Sequence, residues 1–140
     1  RAAGRTLPLD EVEHKIIRVE FKEPRIHMAL VCAAMSCPPL RPEAYEGSTL
    51  NAQLHDQTRT FLRERQTENR LDLGNSVIHL SPIFDWFRED FGKTDANILK
   101  FVAPYFDGAG ERNAFTAKRL TIEFTDYDWS LNLRKPRETQ

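Results

Sequence analysis

The sequence predicts an α+β fold, in which helices pack against a small, mainly antiparallel sheet within a single domain. Three observations support this class: a nearly continuous apolar run at residues 26–32, a hairpin pattern at residues 71–80, and helical patterns that rarely form strand–helix–strand units. The length of 140 residues suits one hydrophobic core. We therefore expect one domain over residues 1–133, followed by a polar tail at residues 134–140.

The first predicted elements are a short edge strand at residues 5–7 and a helix at residues 11–18. Asp10 is typical of a helix N-cap, and Glu13, three residues later, supplies the second half of a capping box. The buried stripe of this helix is expected to consist of Val12, Ile16 and Ile17.

The apolar run at residues 26–32 predicts a central strand that is covered on both faces. In such a strand, His27 and Met28 would point to opposite faces of the sheet. Pro38 and Pro39 lack the amide hydrogens that would continue a strand, so we expect the chain to leave the sheet there.

A long amphipathic helix and a hairpin are predicted next. Ser48 or Thr49 caps a helix that extends to residue 65, and Gly74 with Asn75 forms the turn of the hairpin. The inner face of the helix is expected to carry Leu50, Leu54, Phe61 and Leu62.

Two helices and a strand complete the predicted domain. Ser81 followed by Pro82 predicts the start of a helix at residues 82–90, and a second helix covers residues 95–106. A glycine-containing loop is expected at residues 107–111. A half-buried final strand is indicated by the alternating apolar residues Leu120, Ile122 and Phe124.

The composition excludes several classes of function. The chain has 20 Lys and Arg residues against 21 Asp and Glu residues, a net charge of −1, so no basic excess argues for a nucleic-acid partner. No apolar run is long enough to span a membrane. Two cysteines permit one disulfide or none, and this leaves the compartment open.

Four segments resemble a known family, and they follow one another in that family's order. They lie at residues 9–14, 24–45, 81–91 and 127–132. The most specific motifs are Ser36-Cys37-Pro38-Pro39-Leu40 and Tyr127-Asp128-Trp129-Ser130-Leu131-Asn132. These motifs resemble the family catalogued as domain of unknown function 547.

The resemblance implies little about activity, because the family's activity is not settled. Its plant members look like accessory domains of larger proteins, whereas many bacterial members look exported. The resemblance therefore favours an exported, periplasmic or extracellular, location. In the family, a helical segment rich in Trp, Asn and Tyr precedes the part seen here, so a site that needs that segment would be incomplete in this chain.

Cys37 is the strongest candidate for chemistry, because it lies on a turn that two prolines stiffen. A thiol on a rigid turn can become a nucleophile when its pKa is lowered by a neighbouring helix start or histidine. His14 or His27 would serve as the base, and Glu13 would orient that base. This set of four residues is the predicted catalytic site.

Other interpretations of the cysteines remain open. A Cys32–Cys37 disulfide would require residues 33–36 to fold back, since an extended chain separates the two Cα atoms by about 16 Å and a disulfide needs about 4.4–6.8 Å. Alternatively, Cys32 is a buried hydrophobic residue and Cys37 a small turn residue. A zinc site with His27 is weaker, because His27 and Cys32 would face opposite sides of a strand. We expect no metal and no cofactor.

Two functions compete at this stage. The first is a thiol-dependent hydrolase or transferase that uses Cys37. The second is a non-catalytic binding module for a peptide or a small thiol ligand. The aromatic residues Phe84, Trp86, Phe87 and Phe91 are interpreted as core rather than as a ligand platform. The sequence leaves the oligomeric state and the identity of the ligand open.

Overall fold

A computed structural model describes residue 4, residues 6–117 and residues 119–133. Helix α1 begins at Leu9–Glu11 and continues in π-helical form over Val12–Phe21. The later helices are α2 at Ile26–Ala29, α3 at Leu50–Glu64, α4 at Ile83–Trp86, α5 at Asp95–Val102 with a 3₁₀ extension at Ala103–Tyr105, and α6 at Ala109–Thr116. The strands are β1 at Arg70–Asp72, β2 at Val77–Leu80 and β3 at Thr121–Phe124.

The three strands form one sheet in the order β1-β2-β3. β1 and β2 form the predicted antiparallel hairpin, and its register places Leu71 opposite Ile78. β2 and β3 pair parallel with Ile78 opposite Ile122, because α4, α5 and α6 carry the chain back across the sheet between them. The α+β class is confirmed, and the sheet is mixed, with one pair of each kind.

The core lies between this sheet and helices α3, α4 and α5. Asn69 is fully buried within it; its side chain donates to the Phe61 carbonyl (3.1 Å) and accepts from the Ser81 backbone amide (3.0 Å). The nitrogen and the oxygen of this buried side-chain amide therefore each have a hydrogen-bond partner. The largest fully buried apolar side chains of the described residues are Met28, Phe61, Leu62, Ile78, Leu80, Phe84, Ile98, Val102 and Phe106.

The predicted central strand at residues 26–32 is wrong, because these residues begin with helix α2. Backbone amides of Ile26 and His27 donate to the carbonyls of Glu23 and Pro24, which closes a turn at the start of the segment. A short apolar run suits a buried helix as well as a buried strand. Ile26, His27 and Met28 are all buried on this helix, so the expected separation of His27 and Met28 on two sheet faces does not occur.

The first helix differs from its prediction at both ends. Asp10 lies inside the first turn of α1 and is not its N-cap, and the helix continues to Phe21, beyond the expected end at residue 18. None of its side chains is buried. The expected edge strand falls partly outside the described residues, and Thr6 and Leu7 are not in a strand. The tail at residues 134–140 also lies outside the described residues.

The predictions for the second half of the chain are mostly confirmed. Helix α3 matches the expected helix, although Leu50 is exposed on a face that was expected to be buried. α5 with its 3₁₀ extension matches the helix expected at residues 95–106, whereas the helix expected at residues 82–90 is limited to α4.

Helix α6 is absent from the prediction, which placed a loop at residues 107–111. Gly108 occupies the N-cap position, and the Glu111 carboxylate accepts its backbone N–H at 2.8 Å. This side chain satisfies a backbone donor at the helix start and thereby stabilises a helix where the glycines indicated a loop.

Candidate functional site

The two cysteines lie side by side on a turn formed by residues 32–37, here called the cysteine turn. The Cys37 backbone N–H donates to the Ala34 carbonyl at 3.2 Å, which folds the segment back on itself. The Cys32 backbone N–H donates to the Cys37 Sγ at 2.8 Å. Both thiols are free. The chain thus makes the reversal that a disulfide would need without forming one.

The cysteine turn is held in place by the C-terminal segment, residues 127–133. A short antiparallel bridge joins Ala34 to Leu131. The Ser36 hydroxyl adds a side-chain contact, because it accepts from the Asp128 backbone N–H at 3.0 Å. The backbone hydrogen bonds run from Met35 N to Ser130 O (2.9 Å), from Ser36 N to Asp128 O (3.2 Å) and from Asn132 N to Ala33 O (2.7 Å). The two most specific sequence motifs therefore form one structural unit.

The two thiols differ in exposure. Cys32 is exposed, whereas Cys37 retains only 5% of its accessible surface. Burial, together with the hydrogen bond and the charge of Cys32, raises the pKa of Cys37 to about 11. Partial burial opposes ionisation of Cys32, but hydrogen bonds from Cys37, the Ala34 backbone and Tyr127 outweigh it and lower the pKa of Cys32. Cys32 is thus the more readily ionised thiol.

Three aromatic side chains, two exposed tryptophans and a half-buried tyrosine, form a group that reaches Cys32 through the tyrosine hydroxyl. We call Trp86, Tyr127 and Trp129 the aromatic shelf. The Tyr127 hydroxyl lies 3.7 Å from the Cys32 Sγ. The ring of Tyr127 lies 4.9 Å from that of Trp86 and 4.5 Å from that of Trp129, and the two indoles stack at 5.5 Å. Trp86 is 48% exposed and Trp129 69% exposed, so the expected core role is wrong for Trp86.

The predicted bases lie in a separate group, here called the histidine cluster: His14, Arg18, His27 and Asp90. The buried His27 donates from Nε2 to Asp90 Oδ2 at 2.7 Å, and Arg18 Nε donates to the same oxygen at 2.6 Å. Arg18 also donates to His14 Nδ1 at 2.9 Å. The His27 ring stacks on the Phe87 ring with 3.9 Å between the two centroids. The Arg18 guanidinium carbon lies over the same ring, 4.9 Å from its centroid.

The electrostatics of the histidine cluster favour a neutral His27 beside an ionised Asp90. Burial lowers the pKa of His27, although the carboxylate of Asp90 opposes this effect. Burial raises the pKa of Asp90, but hydrogen bonds from Arg18 and His27 outweigh it, so the pKa of Asp90 is lowered overall. The buried His27 therefore has a hydrogen-bond partner in Asp90, and the half-buried Arg18 and Asp90 form an ion pair, which is a usual structural arrangement.

The structure brings together only part of the predicted catalytic set. His14 and His27 share the histidine cluster, and Glu13 lies on α1 beside them, where its charge acts on Arg18. Among the hydrogen bonds of residues 6–117 and 119–133, none joins Cys37 to His14, His27 or Glu13. The hydrogen-bond partners of the Cys37 thiol are Cys32 and Tyr127.

Sequence reasoning missed the roles of Cys32, Tyr127 and Trp129. Cys32 was expected to lie on a buried strand, and this expectation is wrong because the residue follows helix α2 and is exposed. The motif at residues 127–132 was visible in the sequence, but no local pattern indicates that it pairs with residues 33–36. That contact spans more than ninety residues of chain.

Two negative findings apply to the described part of the chain, residues 4, 6–117 and 119–133. Within it, no group of three or more His, Cys, Asp and Glu side chains is arranged to hold a metal ion. No helix there has the length and apolarity needed to cross a membrane.

Comparison with known proteins gives one match. A family model described as "Protein of unknown function, DUF547" matches residues 1–62, which include the cysteine turn. This match confirms the resemblance to domain of unknown function 547. No curated protein and no solved structure matches the chain significantly.

Proposed function

Starting from similarity to DUF547, a family without an assigned activity, we propose that this chain is a thiol-dependent hydrolase or transferase in which Cys32 is the reacting thiol. The observation that carries this proposal is the position of the Cys32 thiol, which is exposed to solvent, lies 3.7 Å from the Tyr127 hydroxyl and accepts a hydrogen bond from the Cys37 thiol. The proposal keeps the thiol chemistry predicted from the sequence and transfers the nucleophilic role from Cys37 to Cys32.

Ionisation of Cys32 is supported by its immediate neighbours. A thiolate is the nucleophilic form of cysteine, and it is favoured where hydrogen-bond donors surround the sulfur. The Cys37 S–H, the Ala34 backbone N–H and the Tyr127 hydroxyl supply those donors, and they lower the pKa of Cys32. The thiolate therefore forms without a histidine base, which is consistent with the engagement of His27 and His14 elsewhere.

The aromatic shelf is the natural binding surface for the group that Cys32 attacks. It presents two exposed indoles beside Tyr127, whose hydroxyl lies 3.7 Å from the thiol, and exposed tryptophans offer large apolar contact area with a polar N–H. A substrate with an aromatic or aliphatic group beside its electrophilic atom would bind the shelf and present that atom to Cys32.

The test is the rate of alkylation of each cysteine by iodoacetamide at pH 7, followed by peptide mass spectrometry. We expect Cys32 to be modified quickly and Cys37 to remain unmodified while the protein is folded. Cys37→Ser is the matched control, and it should retain a modifiable Cys32, whereas Cys32→Ser should lose rapid modification. Slow modification of Cys32, at the rate of an ordinary exposed thiol such as that of glutathione, would refute the proposal.

A binding module is the second candidate function, and the exposure of Trp86 and Trp129 favours it. In this case the shelf would bind an aromatic peptide without chemistry at Cys32. The distinguishing experiment is titration of Cys32→Ser with a phenylalanine-containing tripeptide, monitored by tryptophan fluorescence. Saturable quenching that is lost in Trp129→Ala, combined with an unreactive Cys32 in the unsubstituted chain, would favour binding over catalysis.

A further inference from the structure

We propose that Cys32 and Cys37 form a dithiol pair that reduces disulfides of small thiols or peptides. This inference rests on the proposed role of Cys32 as the reacting thiol, and it adds a redox activity with disulfides as the substrate class. Two features carry it: the Cys32 backbone N–H lies 2.8 Å from the Cys37 Sγ, and the two thiols have opposite exposure.

The opposite exposure assigns an order to the two thiols. Cys32 faces solvent, where a disulfide substrate can approach, whereas Cys37 is buried beside Cys32. An accessible thiolate beside a covered partner is the usual arrangement of an attacking and a resolving cysteine. The reverse order would require a substrate to reach a side chain that is 5% exposed.

The first step is attack of the Cys32 thiolate on one sulfur of the substrate disulfide. A new bond forms between Cys32 Sγ and that sulfur, the substrate S–S bond breaks, and the other half leaves as a thiolate that takes a proton from solvent. The product is a mixed disulfide on Cys32. No external oxidant or reductant is needed, because the substrate disulfide is itself the electron acceptor.

The second step is attack of Cys37 on the Cys32 sulfur. Cys37 loses its proton to solvent, its sulfur bonds to Cys32 Sγ, and the second substrate half leaves as a thiolate that is then protonated. The pair is oxidised by two electrons, and the substrate is reduced to two thiols. A Cys32–Cys37 disulfide closes a loop whose ends already lie side by side, so little chain entropy is lost.

The first step makes ionisation of Cys37 easier, which the second step requires. Before the reaction, burial raises the pKa of Cys37, and the hydrogen bond and charge of Cys32 raise it further. Once Cys32 is part of a mixed disulfide, its negative charge is gone. The remaining bond from the Cys32 backbone N–H stabilises a thiolate at Cys37, so the first step prepares the second.

The experiment treats the reduced chain with oxidised glutathione at pH 7 and follows intact mass and released glutathione. We expect the unsubstituted chain to lose two hydrogens and release two glutathione molecules, because the mixed disulfide resolves. Cys37→Ser should stop at a stable adduct of one glutathione, and Cys37→Ala should do the same if its circular dichroism spectrum is unchanged. Cys32→Ser should not react.

Two failures can be told apart. If Cys32 is alkylated rapidly by iodoacetamide but the unsubstituted chain accumulates the glutathione adduct as Cys37→Ser does, the dithiol inference is refuted and the proposed thiol chemistry stands. If Cys32 reacts with neither reagent, the proposed function fails and the inference fails with it.

Discussion

The cysteine turn and the histidine cluster both bring titratable side chains together, but they use them in opposite ways. In the histidine cluster, one oxygen of Asp90 accepts from both His27 and Arg18, and His27 is buried against Phe87. In the cysteine turn, Cys32 is exposed and its hydrogen bonds favour its charged form. The comparison teaches that a histidine near a cysteine in sequence need not be its partner, because His27 meets Asp90 and Cys37 meets Cys32.

The largest effect is expected from Asp90→Ala, which removes the acceptor shared by Arg18 and His27. The buried His27 N–H then lacks a partner, and we expect the free energy of unfolding to fall by about 2 kcal/mol. Urea denaturation measures this change. Asp85→Ala is the matched control, because it removes an exposed partner of Arg88 and should cost about 0.5 kcal/mol.

Asp90→Ala should also distinguish the two regions, because it should leave the alkylation rate of Cys32 unchanged. A rate that falls strongly in a folded Asp90→Ala chain would mean that the histidine cluster and the cysteine turn act as one site. That outcome would support the catalytic role predicted for His14 and His27.

Acid should destabilise the chain through the histidine cluster. His27 and Asp90 both have lowered pKa values, so the unfolded chain binds protons before the folded chain does. The stability that each residue contributes is therefore complete when the pH is above the ordinary pKa of its side chain, 6.5 for His27 and 3.8 for Asp90. This stability is lost as the pH falls through the lowered pKa that the side chain has in the folded chain. Urea denaturation between pH 7 and pH 3 measures the loss.

His27→Gln is the control for this pH dependence. Glutamine retains a donor toward Asp90 but does not titrate, so the loss of stability that begins below pH 6.5 should become smaller. An unchanged pH profile would show that His27 does not contribute.

An intermediate effect is expected from Tyr127→Phe at the cysteine turn. The hydroxyl is one of the groups that favour ionisation of Cys32, and its loss should raise the pKa of that thiol. Since a hydrogen bond contributes about 0.5–1.5 kcal/mol, alkylation at pH 7 should slow by about two- to tenfold. Phe124→Leu, a change on β3, provides a control that should leave the rate unaltered, and equal rates for Tyr127→Phe and the unsubstituted chain would exclude this role.

A smaller effect is expected from Ser36→Ala, which removes one of the contacts between the cysteine turn and the C-terminal segment. The Asp128 backbone N–H loses its acceptor, and the free energy of unfolding should fall by about 1 kcal/mol. Thermal denaturation measures it, with the exposed Ser130→Ala as control. If Ser36→Ala is no less stable than Ser130→Ala, the hydroxyl does not help to hold the turn.

The sequence predicted those elements whose pattern is local. The long helix α3, the hairpin of β1 and β2, and strand β3 carry period or turn signals of their own. Residues 26–32 lacked such a signal, because a short apolar run fits a buried strand and a buried helix equally. Helix α6 was not predicted, because its glycines indicated a loop. The Glu111 carboxylate stabilises the helix start by accepting the Gly108 backbone N–H.

The candidate site was less predictable, because its defining contacts join distant parts of the chain. The sequence drew attention to Cys37 and its turn, but the exposure of Cys32 follows from helix α2, and Tyr127 reaches the thiol only through the C-terminal segment. Likewise, nothing near His27 in sequence indicates that Asp90 will be its partner. Contacts of this kind depend on tertiary packing.

The central claim is that Cys32, rather than Cys37, is the thiol that ionises first. The most direct measurement is a pH titration of the chain with ¹³C-labelled cysteine, in which the Cβ chemical shift of each residue reports its thiolate. We expect Cys32 to titrate below the ordinary value of 9.0 and Cys37 only near pH 11. Titration of Cys37 before Cys32 would contradict the account.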